Sequence, residues 1–251
     1  MEHKENLSRR KISRVLISVS DKSGIVDLSK GLSENGIEIV STGGTSKAIS
    51  EAGIPVRPVE EVTNFPEMMG GRVKTLHPLI FGGILGRDSD KDQMKEHGIE
   101  NIDMVICNLY PFKSAAEKGV DLSSLIEEID IGGPSLLRAA SKNHSRVSVV
   151  TDPGDYGWIL SEILNGGLTF EQRQQLALKS FRHTAEYDSI IQSVLAQRFG
   201  EEELPSSLHL TGIGSPPLRY GENPHQSSVF YSDLLHSAPS VANSEQLQGK
   251  Q

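Results

Sequence analysis

Residues 70–78 read GGRVKTLHP, three nitrogen bases beside two glycines with no hydrophobic period. Arg72 and Lys74 alternate, so an extended chain turns them the same way. Gly70 and Gly71 permit close approach, and Pro78 holds His77 out of helix. A loop lysine beside a polar pocket can donate a proton or hold an oxyanion; a solvated basic loop is the plainer reading. Two other stretches suit anions. SVSDKSG (18–24) and STGGT (41–45) each follow an apolar run and open a helical one. Backbone N–H groups at a helix start attract negative charge, and Lys22 adds to it. Gly43 and Gly44 let the backbone approach a ligand, and Thr42 and Thr45 offer hydroxyls. Each stretch alone could be a cap or a turn, and neither is a dinucleotide fingerprint or a Walker sequence. Their recurrence on neighbouring strands is what favours phosphate binding.

Two more segments carry polar groups to the ends of elements. CNLYPF (107–112) ends a strand at Asn108 and Tyr110, with plain packing the alternative for Tyr110. IDIGGPSLLRAASKNH (129–144) sets Asp130 before Gly132, Gly133 and Pro134, and Pro134 suits a first helical turn. Lys142 and Asn143 fall near that helix's far end, where a lysine is also favoured simply as a charge on the helix dipole. Asp130 and Lys142 meet only if the helix folds back. His77, His97, His144, His183, His209 and His225 have no ligand-like spacing, so no metal is expected.

The elements that must place these groups alternate. VLISVS (15–20), IEIVST (37–42), MVICNLY (104–110) and VSVVT (147–151) read as strands. Between them, Ile25, Leu28 and Leu32 mark a helix stopped by Gly36, TSKAISEAG a helix closed by Gly53, and LSSLIEEID and PSLLRAASKN further helices. This is the pattern of a parallel α/β sheet covered on both faces, which binds ligands beyond the carboxyl ends of its strands. After Asp152, DYGWILSEILNGG reads as a helix, then Thr169 and Gln172 form a capping box. It opens a long helix whose Phe170, Ala177, Phe181, Ala185, Ile191, Leu195 and Phe199 keep one face. Residues 201–217 read as a linker. The last segment has too few apolar residues for its own core, so partial disorder or packing on another body is expected.

The 251 residues carry a net charge of −8, which argues against a nucleic-acid surface, though a pocket can be locally positive. The single cysteine, Cys107, lies in an apolar run and reads as buried packing. One cysteine allows no disulfide framework. The polar N-terminus lacks a signal core, and no segment is long and apolar enough to span a bilayer. A cytoplasmic protein without a membrane partner is expected.

Taken in order, SVSDKSG, STGGT, FPEMMGGRVKTLHP, CNLYPF, IDIGGPSLLRAASKNH, FRHTAEYD and LRYGENPHQ resemble the N-terminal part of the bifunctional purine-biosynthesis family with IMP cyclohydrolase and AICAR transformylase activities. The resemblance runs from about residue 13 to the end. It implies a methylglyoxal-synthase-like α/β domain over 1–152, a helical extension of the cyclohydrolase domain over 153–200, and a linker with the start of a transformylase domain over 201–251. It implies a homodimer, no cofactor, and closure of 5-formamidoimidazole-4-carboxamide ribotide (FAICAR) to inosine monophosphate (IMP). Ser18, Ser20, Lys22, Thr42, Gly43, Gly44 and Thr45 match phosphate and ribose contacts. Arg72, Lys74, Thr75, Asn108, Tyr110, Asp130, Gly132, Gly133 and Lys142 match base-end and catalytic positions, and Asn143 is grouped with the substrate contacts. The implied roles are an oxyanion hold by Lys74 with Tyr110, and proton handling by Asp130 and Lys142. Arg219 and Tyr220 match transformylase positions, but that domain is not continued, so formyl transfer is not expected. A nucleotide-binding regulatory module and a phosphate-eliminating lyase share the fold and stand as rivals.

Overall fold

The computed structural model describes residues 9–69, 73–200, 211–233, 239–241, 244–245 and 247–248. Two compact units are built, one from within residues 1–111 and 123–185, the other from within 112–122 and 186–251.

The first unit holds a five-stranded sheet of β1 (Arg14–Val19), β2 (Glu38–Ser41), β3 (Arg57–Pro58), β4 (Met104–Asn108) and β5 (Ser148–Val150), in the order β3-β2-β1-β4-β5. All pairings are parallel. Val15, Leu16 and Ile17 of β1 and Met104 through Cys107 of β4 are buried on consecutive positions, so both faces of the centre are covered. Cys107 is buried as expected, and burial pushes its thiol well up from the ordinary value. The strand order reverses between β1 and β4, which opens a crevice at the carboxyl ends of those two strands.

The helices follow the apolar period. α1 (Ile25–Glu34) buries Ile25, Leu28 and Leu32, and α2 (Gly43–Glu51) buries Thr45 and Ile49. α3 (Val59–Thr63), α4 (Pro78–Leu85) and α5 (Lys91–Glu96) have no counterpart among the expected elements. They are short, and α4 carries Gly82 and Gly83 in PLIFGGIL, a composition that hides helical period. α6 (Phe112–Glu117) belongs to the second unit, and α7 (Leu122–Glu127) precedes α8 (Gly132–Lys142). α9 (Tyr156–Leu164) and the 30-residue α10 (Phe170–Phe199) complete the set.

α10 opens on the expected capping box. The Thr169 N–H donates to Gln172 Oε1 at 2.8 Å, and the Gln172 N–H donates to Thr169 Oγ1 at 3.3 Å. Its inward face differs from the expected one. Phe181, Ala185 and Phe199 are exposed, while Arg173, Leu176, Ala177, Ser180, Thr184, Tyr187 and Ile190 are buried. The apolar spacing missed this stripe because three of its members are polar. Arg173 is the largest: Nε donates to His144 O (2.9 Å), Nη1 to Leu168 O (2.6 Å) and Nη2 to Ser145 O (3.1 Å). A buried guanidinium is tolerable here because fixed carbonyls meet its donors.

The amino edge of the sheet is closed by charge. Glu38 pairs with Arg14 (2.5 Å) and Arg57 (3.2 Å), and Arg57 also meets Glu100 (3.0 Å). The carboxyl edge is left for the cavity described below.

In the second unit Phe112 meets Tyr187 edge-on, with ring centroids 6.5 Å apart. β6 (Gly212–Gly214) and β7 (Tyr231–Asp233) form an antiparallel ribbon with exposed Ile213 and Tyr231. A paired ribbon was not expected of the tail, whose glycines and prolines suggested only breaks. Residues 201–210 of the expected linker lie outside the described residues. No helix among the described residues is long and apolar enough to cross a membrane.

Thr169→Ala removes one half of the capping box and should cost about 1 kcal/mol. Thermal unfolding checks it, with an expected fall of roughly 2–4 °C at this chain size.

Candidate functional site

Three strand ends supply the floor of one cavity. Val19 of β1 pairs with Asn108 of β4, and Ile17 pairs with Ser41 of β2, so the turns leaving these strands begin at nearly one level. Side chains lock that level. Asn108 Oδ1 accepts from the N–H groups of Ser20 (2.7 Å) and Asp21 (2.9 Å), and its Nδ2 donates to Asp21 O (2.9 Å). Thr45 Oγ1 accepts from Val19 N (3.2 Å) and donates to Val19 O (3.0 Å), and the hydroxyls of Ser18 and Thr42 lie 3.2 Å apart. Asn108 and Thr45 line the cavity, yet their polar groups already hold the β1 end in place.

The cavity has a volume of about 600 Å³, the size of a small-molecule site. Of the expected residues, Ser18, Ser20, Lys22, Thr42, Gly43, Gly44, Thr45, Lys74, Thr75, Asn108, Tyr110, Asp130, Gly132 and Gly133 line it. Arg72 lies outside the described residues. α2 begins at Gly43, two residues before the expected start, which aims its first N–H groups into the cavity. Two ammonium groups flank this turn. A Cβ at Gly43 would lie 2.6 Å from Lys74 Nζ, and one at Gly44 would lie 4.0 Å from Lys22 Nζ. Gly43 also has φ +41°, so a side chain there is strained as well as crowded.

Asp130 sits where α8 begins. Its Oδ1 accepts from the Gly133 N–H at 2.8 Å, and the backbone N–H groups of Tyr110 and Gly132 also bond it. Burial pushes its carboxyl above the usual carboxylate value, against the pull of those three donors. A Cβ at Gly133 would lie 2.5 Å from Asp130 Oδ2, so glycine is what lets the carboxylate close on the helix start. The raised value carries a stability sign. Ionising Asp130 costs folding free energy; the cost is absent below the unfolded carboxylate pKa and grows as pH rises through it to the higher folded one.

Two expected residues stand elsewhere. α8 is a continuous helix of 11 residues, so Lys142 lies about 15 Å along its axis from the Asp130 end. It is exposed and does not line the cavity. The segment does not fold back, because unbroken helix keeps its two ends apart. Asn143 is buried beyond the same end, and its Nδ2 donates to Ile84 O (2.7 Å) and Gly86 O (3.1 Å). It ties the end of α4 and does not face a ligand.

Other residues enter the site without having been singled out. Val19, Leu76, Ile126, Glu127, Ile129 and Ile131 line the cavity, and Leu76, Tyr110, Ile126 and Ile131 form an exposed apolar part of its wall. Isolated isoleucines in IEEIDI carry no sequence signal of a pocket. Glu67, whose Oε1 lies 2.8 Å from Lys74 Nζ, had one: it precedes a glycine pair across which Lys74 follows. The cavity therefore offers two cations beside a helix start, a half-buried carboxyl, and a partly apolar wall. That suits an anionic, flat, hydrogen-bonding ligand and proton transfer upon it.

Comparison with known proteins matches residues 24–135 to the MGS-like domain and residues 140–251 to the AICARFT/IMPCHase bienzyme. The chain is 53% identical over 242 residues to the bifunctional purine biosynthesis protein PurH of Oceanobacillus iheyensis, covering 95% of this chain and 47% of that protein. It is 53% identical to PurH of Streptococcus mutans and 50% identical to PurH of Persephonella marina, each with the same coverage. The chain thus spans about half the length of the curated relatives it matches. A solved structure titled "Crystal structure of ForH" superposes with a TM-score of 0.66 at 36% identity, covering 73% of this chain and 97% of that one.

Asn143→Ala should lower unfolding free energy by about 1–3 kcal/mol, because it strips donors from buried carbonyls. Affinity for a nucleotide ligand, measured by calorimetry at a temperature where both chains are folded, should stay unchanged.

Proposed function

This chain belongs to the AICARFT/IMPCHase bienzyme family, and from that premise we propose that it is an IMP cyclohydrolase, closing FAICAR to IMP with loss of water in purine biosynthesis. One observation carries the reading: the Gly43–Gly44 helix start, Lys74 and Asp130 share a single cavity. The phosphate is assigned to the N–H groups of α2 with Lys22, and the base end to Thr75, Tyr110, Asp130, Gly132 and Gly133.

The chemistry asks little beyond placement and protons. The carboxamide nitrogen attacks the adjacent formyl carbon, so a C–N bond forms while the formyl oxygen gathers negative charge. The carboxamide nitrogen gives up one of its two protons and the formamido nitrogen its one, the oxygen takes up both, and the C–O bond breaks as a C=N bond forms to the formamido nitrogen, releasing water. Both reacting groups sit on one substrate, so the protein has only to fix a rotamer. Lys74 is assigned to the developing oxyanion, with Tyr110 assisting from the cavity wall. Asp130 is assigned to proton transfer, and its elevated carboxyl suits that work better than a fully solvated one. Formyl transfer forms no part of the proposal.

Lys142 fits the reading only across two chains. Its distance from Asp130 within one chain removes the coupled pair as first expected. We propose a homodimer in which the exposed lysine of one copy reaches the other copy's cavity, and a cytoplasmic setting in keeping with one buried cysteine. In domain terms the reading keeps 1–152 as the MGS-like domain, 153–200 as its helical extension and 201–251 as the start of a second domain. The regulatory-module alternative is set aside, because the relatives are biosynthetic proteins matched on both segments. The lyase alternative has no support in those relatives either.

Incubation with FAICAR should produce the inosine chromophore, while dihydroxyacetone phosphate should give no turnover. Nucleotide binding without ring closure would contradict the reading. Lys74→Ala and Asp130→Asn should each lower kcat by about 10²–10⁴-fold. In the wild type, activity should fall as pH drops through the Asp130 carboxyl, at a pH above the ~3.9 of a free aspartate. Mixing Lys74→Ala and Lys142→Ala chains should restore part of the activity if the lysines act in trans; no recovery would remove Lys142 from the mechanism.

A further inference from the structure

Glu67 stands outside the cavity lining yet contacts its central cation. An isolated antiparallel bridge joins Met68 to Val73. Residues one step outside such a bridge stand opposite each other at side-chain contact distance. Those residues are Glu67 and Lys74, whose charged atoms are 2.8 Å apart. The backbone therefore presents this carboxylate to this ammonium. The ammonium in turn lies 2.6 Å from the position of a Gly43 Cβ, at the mouth of α2. Lys74 is 23% exposed against 37% for Glu67, so the cation is the more enclosed partner and the anion the outer one.

We propose that Glu67 is a positioning residue for ring closure: it holds the Lys74 ammonium over the Gly43–Gly44 turn. A lysine has a flexible four-carbon stem and makes no fixed fork of bonds, so its head goes where its partner directs it. Without Glu67 the ammonium is free to turn toward the substrate phosphate beside α2 or out to water. Either move takes it from the formyl oxygen. That oxygen is neutral in bound substrate and charged only as the ring closes, so misplacing Lys74 is felt in kcat and hardly in KM. The inference rests on the cyclohydrolase reading for its kinetic half and on geometry alone for the Glu67–Lys74 contact.

The test joins kinetics to lysine labelling on the whole chain. In Glu67→Gln, kcat for FAICAR closure should drop about tenfold to a hundredfold, with KM changed by less than about twofold. Glu67→Asp, which keeps the charge, should recover part of that loss. Competitive acylation read by mass spectrometry should show Lys74 reacting several-fold faster in Glu67→Gln, with Lys22 and Lys179 at their wild-type rates. Unchanged Lys74 labelling, a uniform rise across all lysines, or a KM increase matching the kcat loss would each overturn the proposal. A wild-type chain inert toward FAICAR would instead sink the cyclohydrolase reading. The Lys74 label would then still decide whether Glu67 directs that side chain.

Discussion

Asn108 closes the gap where the strand order of the parallel sheet reverses, between β1 and β4. Its amide accepts two backbone N–H groups from the turn after β1 and donates to the carbonyl of the same turn. Thr45 makes the matching tie from α2 back to both backbone groups of Val19. A turn at the end of a strand would otherwise expose unpaired backbone groups and move with solvent. Here side chains from the flanking strand and helix satisfy it, so three strand ends become one rigid floor. The positions of Lys22, Gly43, Gly44 and Tyr110 all follow from that floor.

The charges above it are arranged by contrast. At the amino edge Arg14, Glu38, Arg57 and Glu100 neutralise one another. At the carboxyl edge two lysines flank an anion-seeking helix start, and the same cavity is lined by the half-buried Asp130, whose carboxyl burial raises. A protein of net charge −8 thus keeps its positive field local. Low dielectric in the crevice strengthens each such interaction relative to open solvent.

The sheet was legible because four of its strands are continuous apolar runs, which a parallel sheet buried on both faces requires. The two helix-opening turns of the cavity were legible as a pair, since serine, threonine and glycine fell after consecutive strands. What could not be read was distance along a helix. Lys142 shares a motif with Asp130, and proximity in sequence concealed the rigid turns of α8 between them. Asn143 looked like a ligand group because a buried amide holding helix-end carbonyls has the same composition as one holding substrate. α4 was hidden by its glycines, and the inward stripe of α10 by Arg173, Ser180 and Thr184, whose polarity masks burial. Glu67 required seeing Met68 paired with Val73, a pairing that leaves almost no trace in hydrophobic pattern.

The central claim is that one nucleotide bridges the α2 start and Asp130. A crystal structure of the chain with IMP tests it most directly. The account requires the phosphate on the N–H groups of Gly43 and Gly44 beside Lys22, and the purine edge within hydrogen-bond distance of the Asp130 region. A nucleotide bound in the reverse sense, or seated outside this cavity altogether, would contradict it.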